Sequence, residues 1–418
     1  MLAPAAAPFA AHGQLTLGAA QDAARRASPE LHAAREGVAA AAARERQAGA
    51  FPNPTFAYGR EQTSRAGQTN AQDIVQLEQP IEIGRQRGAR REAARLRREA
   101  AEARLAATTA QLDFEVTRAF ALAVAADRRA RLAGQTTEAF TEAQRVSDRR
   151  LAAGDVSGYV ARRLRLESAR FAAVRAAAAL DRRSTRIALA ALMGIGASGA
   201  DTLVLPDELA ALPGDSAVTA LDSLLARAER SRGELRAAAL DAEAASADAS
   251  VVRREWTPTP TLSAGYKGER VADPVRGSLT GFTGIVAGLS LPLPLFDRRS
   301  GAMDAADADA RRVHAEGAVV RRRVAREVAD ALAGLLAAEA QRAALAPHLG
   351  EGARVAVRAV QASYAEGEIT LVEWLDAIRA YQDAESTYVS LQAEVAIRRA
   401  ALARAVGAPL TLTASDDR

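Results

Sequence analysis

The chain has 418 residues, with 55 basic and 51 acidic side chains, a net charge of +4 and no cysteine. That near-balance argues against a nucleic-acid surface, since no run combines basic residues with interleaved aromatics. The missing thiols exclude a disulfide framework, a thiolate metal site and a lipidated cysteine. No run of about 18 apolar residues is present, so no transmembrane helix is expected. Lys267 is the only lysine; the other basic residues are arginines that alternate with Glu and Asp, a pattern of solvated helix faces with ion pairing. The histidines (His12, His32, His314, His348) are scattered without metal-ligand spacing. Ser157 has no histidine nearby in sequence, no glycine-rich loop follows a strand, and paired carboxylates lie only on charged helix faces. Neither catalysis nor a cofactor is expected.

Residues 1–14 are an apolar tail without a basic start, readable as the remnant of a secretory signal or as a plain tail. Residues 17–49 read as one Ala-rich helix, closed by Gly49 and the pair Pro52 and Pro54. Two alternating runs follow, at about 55–63 and 72–83, with Phe56 and Tyr58 in the first and Val75, Leu77, Ile81 and Ile83 on one face of the second. That period of two predicts a strand hairpin. Residues 85–150 contain no proline and predict a helix of ~100 Å, far beyond the usual ~11–12 residues. A turn at 150–157 precedes a returning helix over 160–193. Residues 195–219, rich in Gly and Pro, form a linker with a small packed element.

The plan then repeats. Residues 220–255 read as helix, about 261–268 and 282–293 as strands, and 297–364 as a second long helix interrupted at Pro347. A turn at 363–370 leads into a helix over 370–406, whose apolar residues recur by threes and fours in the manner of a coiled-coil seam. Residues 408–418 are a polar tail. The two turns share a glycine, an acid, a β-branched residue and a hydroxyl residue: Gly154, Asp155, Val156 and Ser157, then Gly367, Glu368, Ile369 and Thr370. Gly154 and Gly367 lie 213 positions apart, as do Gly194 and Gly407, and the Pro-containing strand entries and exits recur at 206 and 212. Four landmarks in one order define a duplication, with repeats over 15–194 and 220–407. Each glycine suits a left-handed helix end, and each hydroxyl residue suits the next N-cap.

Four strands cannot close a barrel, and open edges are forbidden in lipid. The strands therefore form either a small soluble sheet or the staves of a barrel completed by other chains. The duplicated order of helix, strand pair, long helix, Gly turn and helix resembles the TolC family of outer-membrane efflux proteins over residues 15–407. The exit Gln79-Pro80-Ile81-Glu82-Ile83-Gly84-Arg85 is similar to that of its heavy-metal, CzcC-like branch.

This resemblance implies a mostly α fold with a small β part, a trimeric α-barrel and β-barrel duct. It implies a homotrimer in outer-membrane lipid with a periplasmic extension, and no nucleic-acid partner. A periplasmic adaptor and an inner-membrane pump, of the RND type, would be its partners. The two glycine turns would then be the tips on which the adaptor docks. Glu373 and Asp376 would ring the narrow aperture and favour cations. The first repeat has Val160 and Arg163 at the equivalent positions. Thr370 and Glu373 also have capping-box spacing, which gives Glu373 a local role. A soluble coiled-coil scaffold and the pump's periplasmic adaptor are the alternative readings. Neither accounts for strand pairs at duplicated positions.

Overall fold

The structure is a computed structural model that describes residues 14–65, 68–209, 220–272, 278–349 and 351–407. The tails expected at 1–13 and 408–418, and linker residues 210–219, lie outside the described residues. In chain order the elements are α1 (Leu17–Ala27), α2 (Pro29–Ala48), β1 (Thr55–Arg65), β2 (Gln68–Pro80), α3 (Gln86–Ala153) and α4 (Gly158–Leu192). After a short 3-10 turn over Ala197–Thr202 come α5 (Leu221–Ser231), α6 (Gly233–Arg254), β3 (Thr261–Ala272), β4 (Leu279–Ser290), α7 (Ser300–Leu345), α8 (Glu351–Glu366) and α9 (Leu371–Val406). The long helix α3 is unbroken over 68 residues. The break at Pro347 is a 3-10 turn over Ala346–His348.

Two of the expected helices are each split in two. The run over 17–49 divides at Ser28 because Pro29 has no N–H to continue the ladder. Ser28 ends α1 by donating its backbone N–H to Ala24 O at 2.8 Å, and its hydroxyl accepts from Leu31 N at 3.2 Å to start α2. Proline thus occupies the first helical position, where its missing donor costs nothing. The run over 220–255 divides at Arg232, where no proline announces it. The strands also sit three or four residues earlier than expected at β2 and β4, because the Pro-containing exits after residues 80 and 290 leave the ladder.

The described chain falls into two compact units, each drawing on both sequence repeats. One unit comprises the described residues of Arg35–Arg104 and Glu234–Arg321. It holds all four strands, which form one antiparallel sheet in the order β1-β2-β3-β4. The two hairpins join through β2 and β3, with Val75 opposite Tyr266 and Leu77 opposite Ala264. This register places Phe56, Tyr58, Val75, Leu77, Leu262, Tyr266, Ile285 and Leu289 on one face. All eight are exposed. Small and polar residues, including Gly59, Gln76, Ser263, Gly265 and Gly288, predominate on the other.

The second unit comprises the described residues of Met1–Ala34, Leu105–Gly233 and Arg322–Arg418. One core cluster packs α1, the start of α2, α3 and the end of α4 through Ala20, Leu31, Val116, Phe120, Leu189 and Met193, and the linker adds Leu203 and Leu205. Much of the rest of the interior is alanine, which lets helices approach closely. Arginine does more here than solvate a helix face. Arg25 grips Asp113 with two bonds of 2.8 and 2.6 Å, and Arg186 grips the buried Asp127 in the same forked manner. Planar guanidinium suits such bidentate pairing, which lysine cannot make.

The helix breaks are also packing sites. Arg232, 2% exposed, donates to Ala405 O at 2.9 Å and to Glu327 at 2.6 Å, so the end of α9 lies on the α5–α6 break. Gly407 caps α9 with φ 75°, and a Cβ there would fall 2.7 Å from Arg232 Cα. Gly194, φ 71°, is placed in the same way against Ala27 at the α1–α2 break. Gly407→Ala therefore meets both left-handed strain and a backbone clash, a loss of about 2–4 kcal/mol. Gly134, inside α3 with open space around it, should tolerate alanine with a gain of about 0.5–1 kcal/mol. Thermal unfolding of the purified protein in detergent measures both; a higher midpoint for Gly407→Ala would contradict the packing described.

Candidate functional site

The two turns fold alike, bond for bond. In the first, Gly154 N–H donates to Leu151 O at 3.2 Å and Asp155 N–H to Arg150 O at 2.8 Å. In the second, Gly367 N–H donates to Tyr364 O at 3.2 Å and Glu368 N–H to Ser363 O at 2.8 Å. This pair of bonds is the Schellman closure, which needs a left-handed residue. Gly154 and Gly367 supply it with φ of 84° and 85°. Ser157 then caps α4 by accepting from Val160 N–H, and Thr370 caps α9 by accepting from Glu373 N–H.

The turns differ in their surroundings. The space a Cβ would enter at Gly154 is open, whereas at Gly367 it is filled by the Arg150 guanidinium. Arg150 belongs to the last turn of α3, so one repeat reaches across the turn of the other. It also lies near Tyr364, whose hydroxyl is pushed above its ordinary pKa by burial, with Arg150 opposing the shift.

Beneath the turns the helices share an aromatic core. Phe140 of α3 stacks on Phe171 of α4 at 4.3 Å and meets Trp374 of α9 edge-on at 4.9 Å. Tyr364 of α8 stacks on Trp374 at 5.2 Å. Leu164, Leu371, Leu375 and Ile378 complete the cluster. The sequence holds only 17 aromatic residues, nine Phe, six Tyr and two Trp, so four in one cluster mark this as the place where rigid packing is concentrated.

This core sets the rotation of α9. With Leu371, Trp374, Leu375 and Ile378 inward, Glu373 and Asp376 stand exposed three residues apart on the same side of the helix. The two acids are not equivalent. Glu373 completes a full capping box: Oε2 accepts from Thr370 N–H at 2.7 Å and from the Thr370 hydroxyl at 2.8 Å. These bonds favour the charged form and hold its carboxyl below the usual glutamate range. Asp376 is exposed and forms no ion pair among the described residues. Behind it, Arg379 of α9 pairs with Glu167 of α4.

No group of three or more His, Asp or Glu able to hold a metal ion occurs among the described residues. Among the described residues no helix is long and apolar enough to cross a membrane; the exposed apolar face of the sheet is carried by strands. Residues 224–408 match the profile of the family described as outer membrane efflux protein. That match lies within the second half of the chain. NccC, a nickel-cobalt-cadmium resistance protein of Alcaligenes xylosoxydans xylosoxydans, is 29% identical to this chain over 284 residues. That match covers 67% of this chain and 61% of NccC. CzcC, a cobalt-zinc-cadmium resistance protein of Cupriavidus metallidurans, is 27% identical over 389 residues, 92% of this chain and 88% of CzcC. The outer-membrane channel OprN superposes with a TM-score of 0.76 at 20% identity, over 94% of this chain and 89% of that one. The chain thus shares the fold of OprN along nearly its whole length, with the strands and paired helices expected from its sequence.

The turn residues and the exposed acids Glu373 and Asp376 were readable in sequence. Arg150 and the Phe140–Phe171–Trp374–Tyr364 cluster were not singled out, although the clustering of rare aromatics near both turns was a usable signal. Trp374→Ala should destabilise the turns by about 3–5 kcal/mol. Hydrogen exchange should then quicken around residues 140–171 and 364–378 while the strands stay protected; uniform exchange would contradict a local core. Glu373 has a depressed folded pKa, so its contribution is present above the unfolded glutamate pKa and fades as pH falls through the folded value. Glu373→Gln should lower the melting midpoint at neutral pH and flatten its decline on acidification. An unchanged acid profile in that variant would show that the cap does not titrate.

Proposed function

We propose that this chain is the outer-membrane exit duct of a tripartite efflux system, conducting its cargo passively from periplasm to exterior without chemistry of its own. One observation carries the reading. A four-stranded sheet presents an exposed apolar face and ends in two open edges, β1 and β4. In hydrocarbon such edges require partners, and identical copies supply them most simply. Three copies of a four-stranded sheet would give twelve strands, inside the range of about 8 to 26 for closed membrane barrels. The homotrimer is thus part of the proposal.

The paired turns at Gly154–Ser157 and Gly367–Thr370 are proposed as the periplasmic tips that receive the adaptor, with an RND-type pump beyond it. The resistance functions named for NccC and CzcC support divalent metal cations as cargo. A conduit needs passage rather than tight binding, which agrees with exposed acids in place of a ligand cluster. Of the two aperture acids, Asp376 is favoured, because the Glu373 carboxylate is engaged in its cap. Three copies of Asp376 would form a ring of negative charge.

Single-channel recording in a planar bilayer tests this. The wild type should insert and conduct cations preferentially, and Asp376→Ala should lower the cation-over-anion permeability ratio several-fold. Conductance unaffected by Asp376→Ala would move the aperture elsewhere. Failure of the wild type to insert would overturn the duct.

A further inference from the structure

We propose that the junction between the sheet and the helices is a collar that binds anionic phospholipid headgroups, in the membrane leaflet facing the helical part. This rests on the outer-membrane reading and adds a lipid preference to it. All four connections between strands and helices meet at this junction, within one compact unit. Gln79 Nε2 donates to Pro52 O at 3.0 Å, Ile81 N–H to Pro260 O at 2.8 Å, and Gln86 Nε2 to Thr257 O at 3.1 Å. The junction is therefore built rather than loose.

Two belts lie on it in succession. The first is apolar and continues the exposed face of the sheet past the strand ends. Ile83, Leu293, Leu295 and Phe296 are 58%, 65%, 67% and 99% exposed, and Trp256 is 51% exposed beside them in the chain order of the third connection. A water-facing surface has no reason to hold such residues out, whereas an interfacial one does. The second belt is arginine. Three acids near it are engaged by arginine, Glu82 with Arg90, Glu255 with Arg299, and Asp307 with Arg253, while Asp297 accepts the Arg299 backbone N–H at 2.8 Å. Arg85, Arg91 and Arg298 are exposed and form no ion pair among the described residues. Arg87 lies over the exposed Phe51 ring at 3.8 Å, which ties the two belts together.

Cationic groups without acidic partners, set directly beside an apolar band, match the depth order of a bilayer, in which phosphates lie next to acyl chains. Guanidinium recognises phosphate through two parallel bonds. An anionic lipid adds net attraction that a zwitterionic lipid lacks, about fivefold for each arginine near the surface at low salt. Salt should weaken this preference.

The test uses the full chain reconstituted in phosphatidylcholine vesicles that carry a minor fraction of brominated lipid, with Trp256 fluorescence as the readout. Brominated phosphatidylglycerol should quench at least about fivefold more efficiently than the same fraction of brominated phosphatidylcholine. The combined variant Arg85→Gln, Arg91→Gln and Arg298→Gln should bring the two lipids close to equality. It should still be quenched as strongly as the wild type in vesicles made entirely of brominated phosphatidylcholine, which establishes insertion. A matched variant losing Arg162, Arg175 and Arg183 of α4 should keep the preference. Equal quenching of the wild type by both lipids, or loss of preference in the α4 variant as well, would overturn the collar while leaving the membrane reading intact. No quenching of the wild type even by fully brominated vesicles would overturn the membrane reading and the collar with it.

Discussion

Backbone groups at a sheet edge need hydrogen-bond partners, and hydrocarbon offers none. The sheet of this chain turns eight exposed apolar side chains to one side and leaves β1 and β4 unpaired at its ends. A membrane therefore demands further strands beyond both edges. As one segment of the proposed closed structure, the single-chain fold would expose this much apolar surface without any failure of folding. The proposed trimer answers this demand with identical copies.

The helices obey a different constraint. Alanine-rich faces bury little area per residue, so they need other means of fixing helix against helix. Two are visible. Forked arginine–carboxylate pairs such as Arg25–Asp113 and Arg186–Asp127 add directional contacts between helices. Glycine caps at 194 and 407 let helix ends close directly on neighbouring helix breaks. Large side chains are concentrated instead near the turns, where Phe140, Phe171, Tyr364 and Trp374 give the helical hairpins a dense local core. That core fixes the rotation of α9 and holds Asp376 exposed.

The duplication has been kept in backbone geometry more strictly than in side chains. The two turns share the same closing bonds and nearly the same φ at glycine, because a helix reversal of this length has few solutions. Their surfaces have diverged: Val160 and Arg163 stand where the second repeat has Glu373 and Asp376, and only the second turn is covered by Arg150. Backbone closure is common to both, and charge is particular to each.

The sequence by itself determined the duplication, the strand pairs, the long helices, both turns and the capping box at Thr370. All of these are written in local chemistry: period two or three to four, glycine at a left-handed position, a hydroxyl at an N-cap. Even the break at Ser28 was present in Pro29, though Ala-rich periodicity on both sides masked it. Tertiary structure alone decided the rest. The break at Arg232 exists because α9 ends there and Arg232 donates into its terminal carbonyl, a partner 173 residues away. The joining of two hairpins through β2 and β3, the reach of Arg150 across Gly367, and the aromatic cluster likewise depend on residues distant in the chain. No local pattern encodes such pairings, because their energy resides in which surfaces meet rather than in what each segment prefers.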